Sequence, residues 1–228
     1  MEFVGLDKMS LLDYEDYVSA VIFAPTCNFR CPFCHNGDSV LNSTVEIPFK
    51  EILSYLESRK GLLDAVVVTG GEPTLMPDLE NKIREIKKLG FEVKLDTNGT
   101  NPEILEKLIN EKLIDYVAMD IKNSPAKYAL TAGCKKVDLD KIKKSINILE
   151  KSGICYEFRT TLVKEFHDFN DITEIGKLLQ GAKKLYLQKF VDREGVIQKG
   201  LHHIDEEKAY LFKKELEKYI PEVYLRGY

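Results

Sequence analysis

Short apolar runs alternate along the chain with longer stretches in which apolar residues recur every three or four positions. Residues 18–24 (VSAVIFA) are apolar and partly β-branched, which predicts a buried strand. Further runs of this kind fall at 65–69 (AVVVT), 91–95 (FEVKL), 115–120 (DYVAMD), 154–162 (ICYEFRTTL) and 183–190 (KKLYLQKF). Helical periodicity is expected between and after them, over 48–60, 77–89, 102–112, 138–151, 171–179 and 205–219. Pro48 and Pro102 suit a first helical turn, and Gly90 and Gly153 suit a helix stop.

Six strand-then-helix units predict an α/β fold with a parallel sheet. Periodicity leaves two architectures open, a doubly wound open sheet or a curved, partly closed barrel. In both, the C-terminal ends of the strands face the ligand site. The chemically notable residues fall at such ends: Cys27 to Cys34, Gly70 to Glu72, Asp96 to Gly99, Asp120 to Lys122, Arg159 and Gln188. No Pro-, Gly- or Ser-rich linker interrupts the 228 residues, so one domain is expected, with a core over about 18–190 and extensions at 1–17 and 205–219.

Composition narrows the function classes. The apolar fraction of 44% is enough for a large core, and the net charge of −4 gives no footprint for nucleic acid or a membrane surface. No apolar run is long enough to span a bilayer. The N-terminal stretch is rich in carboxylates and lacks the layout of a signal peptide, so a cytoplasmic location is expected. Five cysteines are an odd number, and three fall within eight residues, which points to a metal or cluster site in a reducing compartment.

Those three form a C-x3-C-x2-C spacing: Cys27, Cys31 and Cys34. A closed zinc site is one reading, but it wants four ligands, usually in two pairs from separate segments. Here three come from one loop, and His35 is awkwardly adjacent as a fourth. An iron–sulfur cube is the other reading, with three thiolates leaving one iron open to an amine and a carboxylate from a small ligand.

The same motif after the first strand, with Gly70-Gly71-Glu72-Pro73 after the second, resembles the radical S-adenosylmethionine (SAM) superfamily. The resemblance implies a partial (βα)6 barrel, one 4Fe–4S cluster on the three cysteines, and SAM bound to the open iron. A nearer resemblance is to glycyl-radical-enzyme activating enzymes, and among them to the activating protein of anaerobic ribonucleoside-triphosphate reductase. It rests on Leu11-Leu12-Asp13-Tyr14, on the Cys34-His35-Asn36 ending, and on Asp96-Thr97-Asn98-Gly99 and Asp120-Ile121-Lys122. Larger activases carry further cysteines just after the motif. None occurs here between Cys34 and Cys134, so a single cluster is expected.

Residue roles follow from side-chain chemistry and this resemblance together. Gly70 and Gly71 permit a close backbone approach, and Glu72 offers an acceptor for the SAM ammonium. Phe33 is expected to shield the cluster, and the resemblance implies that the backbone from Phe33 to His35 holds the adenine. Asp120 and Lys122, two apart, face one side and are expected to contact SAM. Arg159 sits in an apolar strand and needs a carboxylate partner, for which the SAM carboxylate is the candidate. Asp96 either contacts SAM or caps its turn, and Gln188 and Phe190 are further candidates at the sixth strand. Cys155 reads as a small strand hydrophobe and Cys134 as an exposed turn thiol. The partner implied is a glycyl radical enzyme, with a flavodoxin- or ferredoxin-type electron donor. Two other functions remain open: a small-molecule radical SAM enzyme of the 7-carboxy-7-deazaguanine synthase kind, and a non-enzymatic single-cluster electron carrier.

Overall fold

The computed structural model describes residues 1–37 and 45–228. Eight strands form one sheet in strict chain order: β1 (Gly5–Ser10), β2 (Ser19–Ala24), β3 (Ala65–Gly70), β4 (Glu92–Thr97), β5 (Tyr116–Asp120), β6 (Cys155–Leu162), β7 (Lys184–Lys189) and β8 (Glu222–Arg226). β1 runs antiparallel to β2, and every later neighbour pair is parallel. A doubly wound sheet reverses its strand order at a switch point. This order never reverses, so the sheet winds one way as a partial barrel and leaves β1 and β8 as its two edges.

The six expected strand–helix units are present, β2 to β7 each leading into a helix. Among the described residues the helices include α1 (Phe49–Ser58), α2 (Leu79–Lys88), α3 (Pro102–Asn110), the single turn α4 (Tyr128–Thr131), α5 (Leu139–Ser152), α6 (Phe169–Leu178) and α7 (Glu206–Leu216). Among the described residues no helix is long and apolar enough to cross a membrane.

Alternation along the strands gives the sheet two different faces. Val66, Val68, Val93, Leu95, Val117, Met119 and Phe158 join Ile83, Leu105, Ile142 and Ile175 of the helices in one large core. On the inner face Val21, Ala65 and Val67 form a smaller cluster with Tyr14, which lies between β1 and β2. Farther round, that face is charged. Glu157 is buried and accepts hydrogen bonds from Tyr116 Oη (3.1 Å) and Arg226 Nη1 (3.3 Å). Buried Lys94 donates to the carbonyl of Asp13, which ties the segment before β2 across the N-terminal end of the barrel.

Side-chain caps fix helix starts. Asp138 accepts from the amides of Asp140 and Lys141, and α5 stops at Gly153, whose φ of 77° is left-handed. Asp168 and Asp171 form a reciprocal capping box, so α6 begins at Phe169 rather than at Asp171.

Candidate active site

The C-terminal ends of the parallel strands surround a cavity of about 190 Å³. A larger cavity, about 560 Å³, lies at the opposite end of the barrel. The smaller one is the candidate site because it gathers Cys27, Cys31, Cys34, Phe33, His35, Gly70, Gly71, Glu72, Asp96, Asp120, Lys122 and Arg159, residues from five separate chain segments.

The cysteine loop leaves β2 and is held from both sides. The amide of Cys34 donates to the carbonyl of Cys31 (2.9 Å), forming a turn. The amide of Arg30 donates to the carbonyl of Ala132 just after α4 (2.9 Å), and that of Gln198 donates to the carbonyl of Pro32 (2.8 Å). Gly133 makes the α4 contact possible: its φ is 65°, and a Cβ there would stand 1.9 Å from the carbonyl oxygen of Arg30. All five cysteines are free thiols. Burial pushes Cys27 up to about 11 and Cys31 up to about 12, and it raises Cys34 as well. Such thiols ionise only with a strong positive partner, as metal ligands have.

Four charged side chains lie beyond the loop on three adjacent strand ends. Arg159 on β6 donates from Nε to Asp120 Oδ1 (2.9 Å) and from Nη1 to Asp96 Oδ2 (3.0 Å). Lys122 Nζ donates to Asp120 Oδ2 (2.9 Å), and Thr69 Oγ1 donates to Asp96 Oδ2 (3.1 Å). Burial works against the charge on Asp120, but Arg159 and Lys122 outweigh it and hold the group down to about 2. Asp120 in turn outweighs burial at Lys122 and Arg159 and raises both. Among the described residues buried Asp96 Oδ1 accepts no hydrogen bond, and Lys94 Nζ lies 3.8 Å from it. Three free sulfurs on one loop, with paired carboxylates and cations lining the same cavity, fit a cluster with a small charged ligand.

Several expectations are corrected by this geometry. Arg159 has its carboxylate partners within the chain, in Asp96 and Asp120. Asp96 therefore does more than cap a turn. Glu72 is fully buried, and its carboxylate is occupied: Oε1 accepts from Thr74 N (3.1 Å), Thr74 Oγ1 (2.6 Å) and Thr97 Oγ1 (2.7 Å), and Oε2 accepts from Asn98 N (2.6 Å). It clamps the turn after β3 to the end of β4, so most of its acceptor capacity is spent within the chain. Gly70 and Gly71 serve a close approach of chain to chain: a Cβ would stand 2.4 Å from Ala24 N at the first and 2.0 Å from Thr26 O at the second. Gln188 ends β7 but does not line the cavity. Phe190 instead stacks on His35, with centroids 5.9 Å apart, while His35 Nε2 meets the carbonyl of Val191 at 3.1 Å. Burial first, and Arg193 second, lower the pKa of His35. Cys134 is part-buried with Sγ 3.5 Å from the carbonyl of Asn28, and Cys155 is exposed at the far end of the barrel.

The cavity also contains Thr69, Asn36, Asn98 and Thr161, which the sequence reading did not assign. Thr161 lies two positions after Arg159 and so shares its face of β6, a signal that period-two counting could have used. Asn36 Nδ2 donates to the carbonyl of Gly70 (2.9 Å) and joins the end of the cysteine loop to β3.

A partial parallel barrel with a three-cysteine loop at its first parallel strand end defines the class. Residues 21–179 match the Radical SAM superfamily. A Methanocaldococcus jannaschii protein named as a glycyl-radical enzyme activating enzyme is 37% identical over 97% of this chain and 94% of its own length. The pyruvate formate-lyase-activating enzyme of Clostridium pasteurianum is 26% identical over 96% of each chain. The solved domain of such an enzyme from Bacteroides vulgatus has the same fold, with a TM-score of 0.58 and 18% identity over 72% of this chain and 99% of that one. The chain belongs to the radical SAM superfamily and, within it, to the glycyl-radical-enzyme activating enzymes. It is thus an enzyme of radical chemistry, in a family whose members imply a 4Fe–4S cluster, SAM and a glycyl radical enzyme as partner.

Proposed function

We propose that this enzyme reductively cleaves SAM and generates a glycyl radical on an anaerobic ribonucleoside-triphosphate reductase. In this reading residues 1–228 are one cytoplasmic radical SAM domain, supplied with electrons by a flavodoxin- or ferredoxin-type protein. Cys27, Cys31 and Cys34 would hold one 4Fe–4S cluster. SAM would lie against Phe33, His35, the Gly70-Gly71-Glu72 turn, Asp96, Asp120, Lys122 and Arg159. When bound, these two groups would supply the chemistry, a one-electron reductive cleavage of the sulfonium that leads to removal of a hydrogen atom from the partner's glycine.

The chain's own residues bind, orient and exclude water. Phe33 is buried beside two of the cysteines and keeps solvent from them. Asp96 lines the cavity and would face the ligand with a carboxylate that Arg159 and Thr69 already hold in place. Arg159 fixes the carboxylates of Asp96 and Asp120 before any ligand arrives, so little reorganisation accompanies binding. Glu72 acts indirectly, through the position of the turn it clamps. No acid or base of the protein is required.

One observation carries the reading: three free thiols and the Asp96–Arg159–Asp120–Lys122 network face one cavity in a chain that matches an activating enzyme over nearly its whole length. The test is anaerobic reconstitution, then mixing with SAM, a reductant and the reductase of the same organism. Electron paramagnetic resonance should show a glycyl doublet on the reductase, lost when its glycine is changed to Ala. SAM cleavage with no radical on any glycyl radical enzyme of that organism would overturn the proposal and favour a small-molecule substrate.

A further inference from the structure

Three polar residues near the cysteine loop form a closed hydrogen-bonded ring that the proposed function leaves unused. Asn98 Nδ2 donates to Asn28 Oδ1 (2.8 Å), Asn28 Nδ2 donates to Thr100 Oγ1 (2.9 Å), and Thr100 Oγ1 donates to Asn98 Oδ1 (2.7 Å). The ring joins the cysteine loop after β2 to the loop after β4. Each member both donates and accepts, so the bonds reinforce one another. Asn98 is 5% exposed, and its Nδ2 also lies 3.9 Å from Cys27 Sγ.

The orientation of the Asn98 amide follows from its neighbours. The backbone N–H of Thr100 can only donate, and it lies 3.0 Å from Asn98 Oδ1. The oxygen therefore faces Thr100, and the NH2 group must face the cysteine loop. One of its hydrogens goes to Asn28, which leaves the other for the sulfur of Cys27. That sulfur accepts one further hydrogen bond, from the backbone N–H of Phe29 at 3.3 Å.

We propose that Asn98 is a positioning residue that donates an N–H···S hydrogen bond to Cys27 and thereby raises the reduction potential of the cluster this cysteine holds. The inference rests on the activase reading above. Reduction adds negative charge to the cluster and its thiolates. A donor aimed at a ligand sulfur stabilises the reduced form more than the oxidised form, so the potential rises. Asn28 and Thr100 have a different part, since they hold the amide in place and touch no cysteine sulfur with a side-chain donor.

The test is a redox titration of the reconstituted protein followed by electron paramagnetic resonance. This signal comes only from molecules that hold a cluster, so partial loading does not confuse it. Asn98→Asp replaces the donor with a negative charge and should shift the midpoint clearly to more negative values. Asn98→Ala removes the donor without adding charge and should shift it in the same direction by less. Thr100→Val keeps the backbone N–H that orients Asn98 and should leave the midpoint near that of the unaltered protein. A residue that merely supported the loop would move all three variants alike. Unshifted midpoints in both Asn98 variants, or an equal fall in Thr100→Val, would overturn the proposal. Failure of the unaltered protein to take up a cluster would instead overturn the activase reading, and this proposal with it.

Discussion

At the scale of single residues, Arg159 shows how a buried charge is accommodated. The sequence reading held that an Arg in an apolar strand needs a carboxylate, and the structure supplies two, on the neighbouring strands β4 and β5. Asp120 carries the pH consequence. Its folded-state pKa of about 2 lies below the ordinary aspartate value of 3.8, so it contributes stability above the unfolded value and loses it as the pH falls through the folded one. The contribution is on the order of 2 kcal/mol, an upper figure because the side chain is about a third exposed. In urea unfolding, Asp120→Asn should be less stable than the unaltered protein near pH 6. The difference should shrink between about pH 4 and pH 2, and a difference independent of pH would refute the pairing. The cysteines give a second residue-scale prediction. Ala at Cys27, Cys31 or Cys34 should each abolish both iron retention and SAM cleavage after reconstitution. Ala at Cys155, at the far end of the barrel, should leave both largely intact. Loss of iron in Cys155→Ala with retention in Cys31→Ala would reverse the ligand assignment.

At the scale of elements, each of the six units legible in the sequence has a strand close to the expected one. β2 to β7 are buried on at least one side, and burial is what apolar runs report. The edge strands were less visible. β1 reads GLDKMS, with Asp7 and Lys8 in its middle, and a strand at a sheet edge carries such charges because one side faces water. β8 has only five residues, EVYLR, two of them charged, too short a run to stand out as a buried strand. Site residues followed a similar division. Motif spacing located the cysteines and the strand-end charges, but not how those charges pair, because pairing depends on which strands become neighbours. The turn after α4 was legible around Cys134, but its contact with the cysteine loop was not. Gly133 there fits against Arg30 with no room for a side chain. Gly133→Ala should therefore force the turn off the cysteine loop, costing roughly 1–3 kcal/mol from crowding and the left-handed backbone together. Iron retention should fall with it. Gly61, which has a similar φ of 79° but open space around it, provides the comparison. If Gly61→Ala and Gly133→Ala lower the melting temperature equally and retain equal iron, close packing against the loop is not what Gly133 provides.

At the scale of the whole molecule, a sheet that winds one way without closing must be stabilised at its last strand by something other than a further neighbour. The inner face shows what that is. Arg226 on β8 reaches back past β7, its guanidinium 3.8 Å from the centre of the Tyr186 ring, to Glu157 on β6. Glu157 is only 2% exposed, and its other hydrogen-bond donor is Tyr116 on β5. One carboxylate thus links four consecutive strands beneath the layer that holds Asp96, Asp120 and Arg159. Removing Arg226 leaves that carboxylate buried with a single neutral donor. Breaking such a pair is costly, whereas removing both charges together is much less so. Arg226→Met should lower stability by about 2 kcal/mol, less than for a fully buried pair because the guanidinium is partly exposed. Glu157→Gln in the Arg226→Met background should restore much of the loss, since the amide keeps the shape and needs no counter-charge. Urea midpoints of the two single variants and the double variant form the cycle that decides it. If the two losses simply add, Glu157 and Arg226 act independently, and β8 must be held to the barrel by its backbone ladder and its contacts with α7 alone.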